Sequence, residues 1–125
     1  MKRLSVRLKN LEFRNPVLPA SGTFGFGREY SSFFDLNTLG GIVTKSITLS
    51  PRTGNPQPRI YEVYGGVLNS IGLENPGISY FVDKELPFIE SINTIKVVSI
   101  AGSKIEENVE LSSILDNTPI DAIEI

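Results

Sequence analysis

Apolar and polar side chains alternate along residues 4–8 and again along residues 11–14. A period of two is typical of a strand that buries one face and exposes the other. Lys9 and Asn10, between the two stretches, suit a tight turn. The pattern therefore predicts a small antiparallel β-hairpin at the start of the chain, which the Asn-Pro pair at 15–16 ends.

Beyond the hairpin, short apolar stretches alternate with segments of helical periodicity. The stretches predicted as buried strands are 17–20, 42–46, 96–101 and 121–125. The segments predicted as helices are 28–39, 78–91 with a kink or split at Pro87, and a third that starts at a capping box over 103–106. This third helix carries Ile105, Val109 and Leu115 on one apolar face.

Alternation of strand and helix predicts a parallel sheet with right-handed crossovers. A (β/α)₈ barrel needs roughly 250 residues, so four predicted strands in 125 residues amount to about half of one. The fourth predicted strand has nothing after it to cover it. We therefore expect an α/β fold in which residues 1–125 are a partial domain, the N-terminal half of a TIM barrel preceded by the hairpin.

The amino-acid composition excludes several classes of function. The chain is 40% hydrophobic and 21% charged, with a net charge of −2, which gives no electrostatic basis for binding nucleic acid or an anionic membrane. Its apolar runs are much shorter than the ~20 residues that span a bilayer, and a cytoplasmic protein is the default expectation. The absence of cysteine and histidine excludes thiolate or imidazole chemistry, so any reaction depends on other side chains or on a bound cofactor.

In a (β/α)₈ barrel the chemistry lies on the loops that follow the strands. The predicted strand tips carry small or polar residues, and Lys45 is the one cation among them. The long segment 48–77 is rich in proline and glycine, and 59–64 within it is predicted as a hairpin arm. Neither G-x-G-x-x-G nor a Walker A motif occurs. The carboxylates Asp83 and Glu85 are interpreted as part of a solvated helix face.

Five segments resemble class 1 dihydroorotate dehydrogenase, the flavin enzyme of pyrimidine synthesis. They are 15–22 (NPVLPASG), 25–30 (GFGREY), 44–46 (TKS), 52–59 (RTGNPQPR) and 68–77 (LNSIGLENPG). The second and fifth are most similar to subclass 1B, a catalytic subunit that passes electrons to NAD⁺ through a subunit carrying FAD and an iron–sulfur cluster. At Ser99 that subclass typically has asparagine, and residues 99–102 are closer to subclass 1A, so NAD⁺ and fumarate both stay open as acceptors.

The resemblance implies FMN at the mouth of the barrel, a base that removes a proton from C5 of dihydroorotate, and hydride transfer from C6 to the flavin. The residues implied to contact FMN are Ala20, Ser21, Gly22, Thr44, Lys45, Ser46 and Ser99. Those implied to contact the substrate are Lys45, Asn69, Ser70, Ile71, Gly72 and Leu73. The base is a cysteine expected beyond Ile125, so this segment alone is predicted to be inactive, and no metal ligands are expected.

The expected partners are dihydroorotate and orotate, a second copy in a homodimer and, for subclass 1B, the electron-transfer subunit with FAD and a [2Fe–2S] cluster. Two other interpretations stay open. One is a related barrel flavoenzyme of the dihydropyrimidine dehydrogenase or dihydrouridine synthase type. The other is a non-catalytic half-barrel that dimerises through its open sheet edges.

Overall fold

The computed structural model describes residues 4–125. The predicted hairpin is present: β1 (Val6–Leu8) pairs antiparallel with β2 (Leu11–Phe13). Lys9, in the turn, has a φ of 52°, a left-handed conformation that a tight hairpin connection requires. Phe13 is the hairpin's contribution to the core, whereas all of β1 is exposed.

Three strands form a parallel sheet in the order β3 (Gly41–Val43), β6 (Ile95–Ser99) and β7 (Ala122–Glu124), with β6 in the centre. The register joins Gly41 to Ile95 and Val97 to Ala122. A further parallel bridge between Ile47 and Ile100 continues the first ladder. The second, third and fourth predicted strands are therefore confirmed as parallel neighbours.

The strand predicted at 17–20 is wrong, because those residues carry no strand. Pro16 and Pro19 have no N–H to donate to a ladder. The Asn15 side chain instead accepts a hydrogen bond from the Val17 N–H at 3.0 Å and donates to the carbonyl of Thr38 at 2.8 Å. The segment is held beside the sheet by these bonds instead of within it.

The helix predicted over 28–39 is also wrong. Two short 3₁₀ turns, Tyr30–Ser32 and Leu36–Thr38, replace it. Asp35 between them is extended, with a ψ of 110°, and its carboxylate accepts the Asn37 N–H at 3.0 Å. Local side-chain bonds of this kind compete with a continuous helix, which explains the break.

The first crossover is a helix in three contiguous stretches: α1 (Ile78–Tyr80), a π-helical stretch Phe81–Glu85, and α2 (Leu86–Glu90). At the predicted kink or split the helix changes type without a gap: the π-helical stretch ends at Glu85, and α2 follows with Pro87 in its first turn. The expected solvated face is wrong at Glu85, which is buried beside Arg28.

The second crossover, α3 (Ile105–Leu115), is displaced by one residue from its predicted cap. Lys104 is the N-cap residue, and the Glu107 carboxylate accepts the Ser103 N–H at 2.6 Å. The predicted apolar face is wrong at Ile105 and Val109, which are 79% and 63% exposed. The prediction is confirmed at Leu115, which is fully buried together with Leu111 one helical turn before it.

The core lies between the sheet and the two crossovers. Its fully buried members are Ile42, Ile47, Phe81, Ile89, Val98, Leu111 and Leu115. Within the long segment 48–77, β4 (Ile60–Val63) and β5 (Gly66–Asn69) form an exposed antiparallel hairpin, which confirms the predicted arm. Among residues 4–125, no helix is long and apolar enough to cross a membrane.

Candidate functional site

The carboxyl end of β3 presents Thr44, Lys45 and Ser46 at one edge of the sheet. Thr44 is 1% exposed, and its N–H donates to the Val97 carbonyl at 3.0 Å. Its hydroxyl oxygen accepts the Ser99 N–H and donates to the Lys45 carbonyl, each at 3.2 Å. Thr44 thus fixes the backbone that carries Lys45 against the end of β6.

Two further contacts hold this edge. The Lys45 N–H donates to the Gly25 carbonyl at 2.7 Å, which joins the strand tip to the loop at 25–27. The Ser46 and Ser99 hydroxyl oxygens lie 2.9 Å apart in a hydrogen bond between the tips of neighbouring strands. The predicted convergence of residues from different strand tips is therefore present in these pairs.

The loop at 69–73 follows β5 and is held by Asn55. The Asn55 side-chain amide donates to the Ser70 hydroxyl at 2.8 Å and to the Ser70 carbonyl at 3.1 Å. The Asn55 N–H donates to the Ile71 carbonyl at 3.0 Å. Gly72 and Leu73 both have positive φ, 79° and 55°, so the chain bends sharply after Ile71.

The strand tip and the loop meet around one cavity of about 200 Å³. Its lining residues are Ser21, Gly22, Lys45, Ser46, Asn69, Ile71 and Leu73. All seven belong to the set predicted from the sequence. The arrangement places an ammonium group, two hydroxyls, a carboxamide and two aliphatic side chains around a single space.

The other predicted site residues do not line this cavity: Thr44 and Ser99 are buried, whereas Ala20, Ser70 and Gly72 are exposed. Ala20 accepts hydrogen bonds from Thr23 through its carbonyl, and Thr44 and Ser99 lie beneath the strand tips. Ser70 and Gly72 do not line the cavity, because their loop turns them towards Asn55.

Other cavities lined by the described residues are larger than this one, and two of them exceed 500 Å³. One of about 570 Å³ adjoins the site, shares Lys45 with it and is bordered by Arg52 and Glu74. Another of about 620 Å³ lies at the opposite end of the sheet, where β3, β6 and β7 begin, and is lined by residues such as Gly40 and Asp121. Barrel chemistry lies at the carboxyl ends of strands, which argues against the cavity at the opposite end. We take the smaller cavity as the candidate site because it joins Lys45 and Ser46 to the 69–73 loop.

Sequence reasoning assigned no role to the residues that support the loop. The Arg59 guanidinium donates to the Thr53 carbonyl at 2.5 Å, to the Asn55 carbonyl and to the Glu74 carboxylate. Asn75 is 4% exposed, and its side chain bonds to its neighbours Leu73 and Gly77 and to the distant Thr48. Arg59 and Asn75 both lie inside segments that resemble the family. That position was the signal in the sequence that could have pointed to them.

Within residues 4–125 no group of three or more acidic, histidine or cysteine side chains could hold a metal ion.

The chain is similar to known proteins over nearly its whole length. The catalytic subunit of dihydroorotate dehydrogenase B (NAD(+)) from Caldicellulosiruptor saccharolyticus is 52% identical over 122 residues, which are 98% of this chain and 40% of that protein. The corresponding subunit from Thermodesulfovibrio yellowstonii is 52% identical over 118 residues, 94% of this chain and 39% of that protein. The chain thus spans about 40% of the length of these relatives.

A crystal structure of DHODH from Eimeria tenella, in complex with ferulenol, superposes with a TM-score of 0.69 at 22% identity. The match covers 96% of this chain and 35% of that one, and it shows that the fold is part of a TIM barrel. The family described as dihydroorotate dehydrogenase matches residues 3–125. The chain therefore belongs to the dihydroorotate dehydrogenase family.

Proposed function

We propose that this chain forms part of the catalytic subunit of an FMN enzyme that oxidises dihydroorotate to orotate in pyrimidine synthesis. The observation that carries the proposal is that Lys45 and the loop residues Asn69, Ile71 and Leu73 line one cavity. Membership of the family supports it. Because the chain spans about 40% of its relatives' length, the activity is proposed for the complete protein that contains it.

The cavity wall fits FMN by its chemistry. A flat ring system needs small residues where it lies against backbone and hydrogen-bond donors around its edge. At Gly22 an added Cβ would meet no atom within 4 Å, so there is open space beside the backbone. Ser21, Gly22, Lys45 and Ser46 would hold the cofactor. When bound, FMN supplies the acceptor for the two electrons of the oxidation.

The substrate side of the cavity fits a pyrimidine that carries a carboxylate. The Lys45 ammonium favours an anionic group in a partly enclosed space. The Asn69 carboxamide offers both donors and an acceptor, which suits the alternating N–H and C=O groups of the pyrimidine ring. Ile71 and Leu73 supply the apolar part of the lining. These residues orient dihydroorotate, and the bonds of Thr44 keep the backbone of Lys45 in place.

Oxidation of dihydroorotate removes a proton from C5 and a hydride from C6. The chain contains no cysteine or histidine to accept the proton. We therefore propose that the base is the cysteine that the family resemblance implies, located in the remainder of the complete protein. This 125-residue chain by itself is expected to show no turnover.

We also propose an electron-transfer partner for the complete protein. Several relatives at about 50% identity carry the name of a catalytic subunit of an NAD(+)-linked enzyme. A subunit that carries FAD and a [2Fe–2S] cluster would then pass the electrons to NAD⁺, and the catalytic subunit would form a homodimer. Measuring dihydroorotate oxidation with NAD⁺ or fumarate as the acceptor, with and without co-expressed partner, distinguishes these possibilities.

The central test substitutes Lys45 in the complete protein. Lys45→Ala should lower the rate of flavin reduction by dihydroorotate about 10²–10³-fold, because it removes a fixed positive charge beside the flavin and the substrate. Lys96→Ala is the matched control, since Lys96 lies in the cavity at the opposite end of the sheet and its Nζ donates to the Thr94 carbonyl. Flavin absorbance and stopped-flow reduction report the result.

The proposal fails if the purified wild-type protein binds no flavin, or if Lys45→Ala and Lys96→Ala reduce flavin equally fast. Thermal shift with orotate and with uracil separates the related pyrimidine flavoenzymes, because uracil has no carboxylate for Lys45 to bind. Stabilisation by orotate alone supports dihydroorotate as substrate. Stabilisation by uracil alone would favour a dihydropyrimidine dehydrogenase-like enzyme instead.

A further inference from the structure

Asn75 is a buried polar residue that takes no part in the proposed reaction. Its side-chain oxygen accepts the N–H groups of Thr48 at 3.1 Å and Gly77 at 3.0 Å. Its side-chain nitrogen donates to the Leu73 carbonyl at 2.8 Å and to the Thr48 hydroxyl oxygen at 3.0 Å. Both atoms of the carboxamide are thus used within the protein, and the residue is 4% exposed.

These bonds connect two parts of the chain that are separate in sequence, since Thr48 is 27 residues from Asn75 whereas Leu73 and Gly77 are each two residues from it. Thr48 lies three residues after Lys45 on the segment that leaves β3. Leu73 belongs to the loop that lines the candidate cavity, and Gly77 is the N-cap residue of α1. The Asn75 backbone adds an antiparallel bridge to Arg52, with N···O distances of 2.9 and 3.0 Å. One side chain therefore fixes the loop relative to the segment that carries Lys45.

The chemistry of this position requires a carboxamide. An aspartate could accept the two backbone N–H bonds but could not donate to the Leu73 carbonyl. An alanine would leave the Thr48 and Gly77 N–H groups without their acceptor in a buried place. Leu73 has a φ of 55°, which is unfavourable for a residue with a Cβ and persists only where surrounding bonds enforce it.

We infer that Asn75 is a positioning residue, which holds Leu73 and the rest of the 69–73 loop in the geometry that receives the substrate. This inference rests on the proposed function. Asn75 does not line the cavity shared by Lys45 and the loop, although it borders the adjoining one of about 570 Å³. It acts through Leu73 and Thr48, and the fraction of molecules with a competent loop sets the apparent affinity for dihydroorotate.

The test compares Asn75→Asp with Asn37→Asp in the complete protein. Asn37 is a matched control, because its amide also both donates and accepts, to Asp35 and from Asn93, at the opposite end of the sheet. Asn75→Asp should raise the KM for dihydroorotate about 10–100-fold, since an affinity falls in proportion to the competent fraction. The kcat should change less than about threefold, because a bound substrate restores the loop. FMN content should stay unchanged, and Asn37→Asp should leave KM unchanged.

Hydrogen–deuterium exchange gives a readout independent of turnover. The amides of residues 70–74 should exchange faster in Asn75→Asp and not in Asn37→Asp, because a loop that opens locally loses protection without global unfolding. Thr48→Val provides a second variant if Asn75→Asp does not fold. It removes one of the two acceptors of the Asn75 amide and should raise KM about three- to tenfold.

Several outcomes would overturn the inference. They are a KM equal to that of the control, a fall in kcat with KM unchanged, or unaltered exchange at 70–74. A wild-type protein that does not oxidise dihydroorotate overturns the proposed function instead. The exchange measurement then still decides whether Asn75 holds the loop.

Discussion

Replacing Gly72 with alanine tests how tightly the loop of the candidate site is packed. Gly72 has a φ of 79°, and a Cβ built there would lie 2.7 Å from the backbone nitrogen of Asn55 and from its side-chain Cγ and Oδ1. Because the nearest atoms include backbone, no side-chain rotation alone relieves the clash. The loop itself must move away from Asn55.

Gly65 offers a matched control in the turn between β4 and β5. Its φ is 76°, almost the same as that of Gly72, but an added Cβ meets no atom within 4 Å. Gly65→Ala therefore measures the backbone cost alone, about 1–2 kcal/mol for a residue with a Cβ in the left-handed region. The crowding at Gly72 adds about 1–3 kcal/mol, as overpacking usually does.

Urea unfolding of the complete protein, followed by circular dichroism, measures both variants. The free energy of unfolding should fall by about 2–5 kcal/mol in Gly72→Ala and by about 1–2 kcal/mol in Gly65→Ala. Gly72→Ala should also raise the KM for dihydroorotate, because the neighbouring Ile71 and Leu73 line the cavity. If the two variants unfold within about 0.5 kcal/mol of each other, the contact between Gly72 and Asn55 does not constrain the loop.

Two further predictions concern the scaffold. Leu111→Ala should lower the free energy of unfolding by about 2–5 kcal/mol, because Leu111 is fully buried. Val109→Ala, on the exposed face of the same helix, should change it by less than about 0.5 kcal/mol. Equal effects of the two variants in thermal unfolding would contradict the assigned burial. Arg28, whose side chain is 51% exposed, contacts Glu85 at 3.2 Å and lies 4.5 Å over the Phe88 ring. A double-mutant cycle of Arg28→Ala and Glu85→Gln should give a coupling below about 1 kcal/mol that weakens at high salt, and a larger salt-independent coupling would contradict this.

Local sequence patterns predicted the structure correctly wherever the residues of one segment are enough to determine its conformation. The hairpin turn at Lys9, the change of helix type just before Pro87 and the parallel strands that start at Gly41 follow from alternation, turn residues and the absence of a proline N–H. The residues that line the cavity were implied by the family resemblance, and strand order accounts only for Lys45 and Ser46, which lie at a strand tip on one edge of a parallel sheet.

Predictions from local sequence patterns were wrong where contacts with residues distant in sequence override the conformation that a segment favours by itself. The bond from the Asn15 side chain to the Thr38 carbonyl holds residues 17–20 beside the sheet, although their composition is that of a strand. In α3, the packing of Leu111 against the core decides which face is buried, so Ile105 and Val109 face solvent despite their apolar character.

The sequence by itself determined the order of the elements and which residue types lie at the strand tips. Only the tertiary structure decided which atoms of the loop reach the cavity. Asn55 and Arg59 bind the loop from a segment that is remote along the chain, and Asn75 joins the loop to the distant Thr48. They turn Ser70 and Gly72 away from the cavity while Asn69, Ile71 and Leu73 line it. The direction of each loop residue depends on hydrogen bonds that form only when those segments meet, and no pattern of neighbouring residues encodes them.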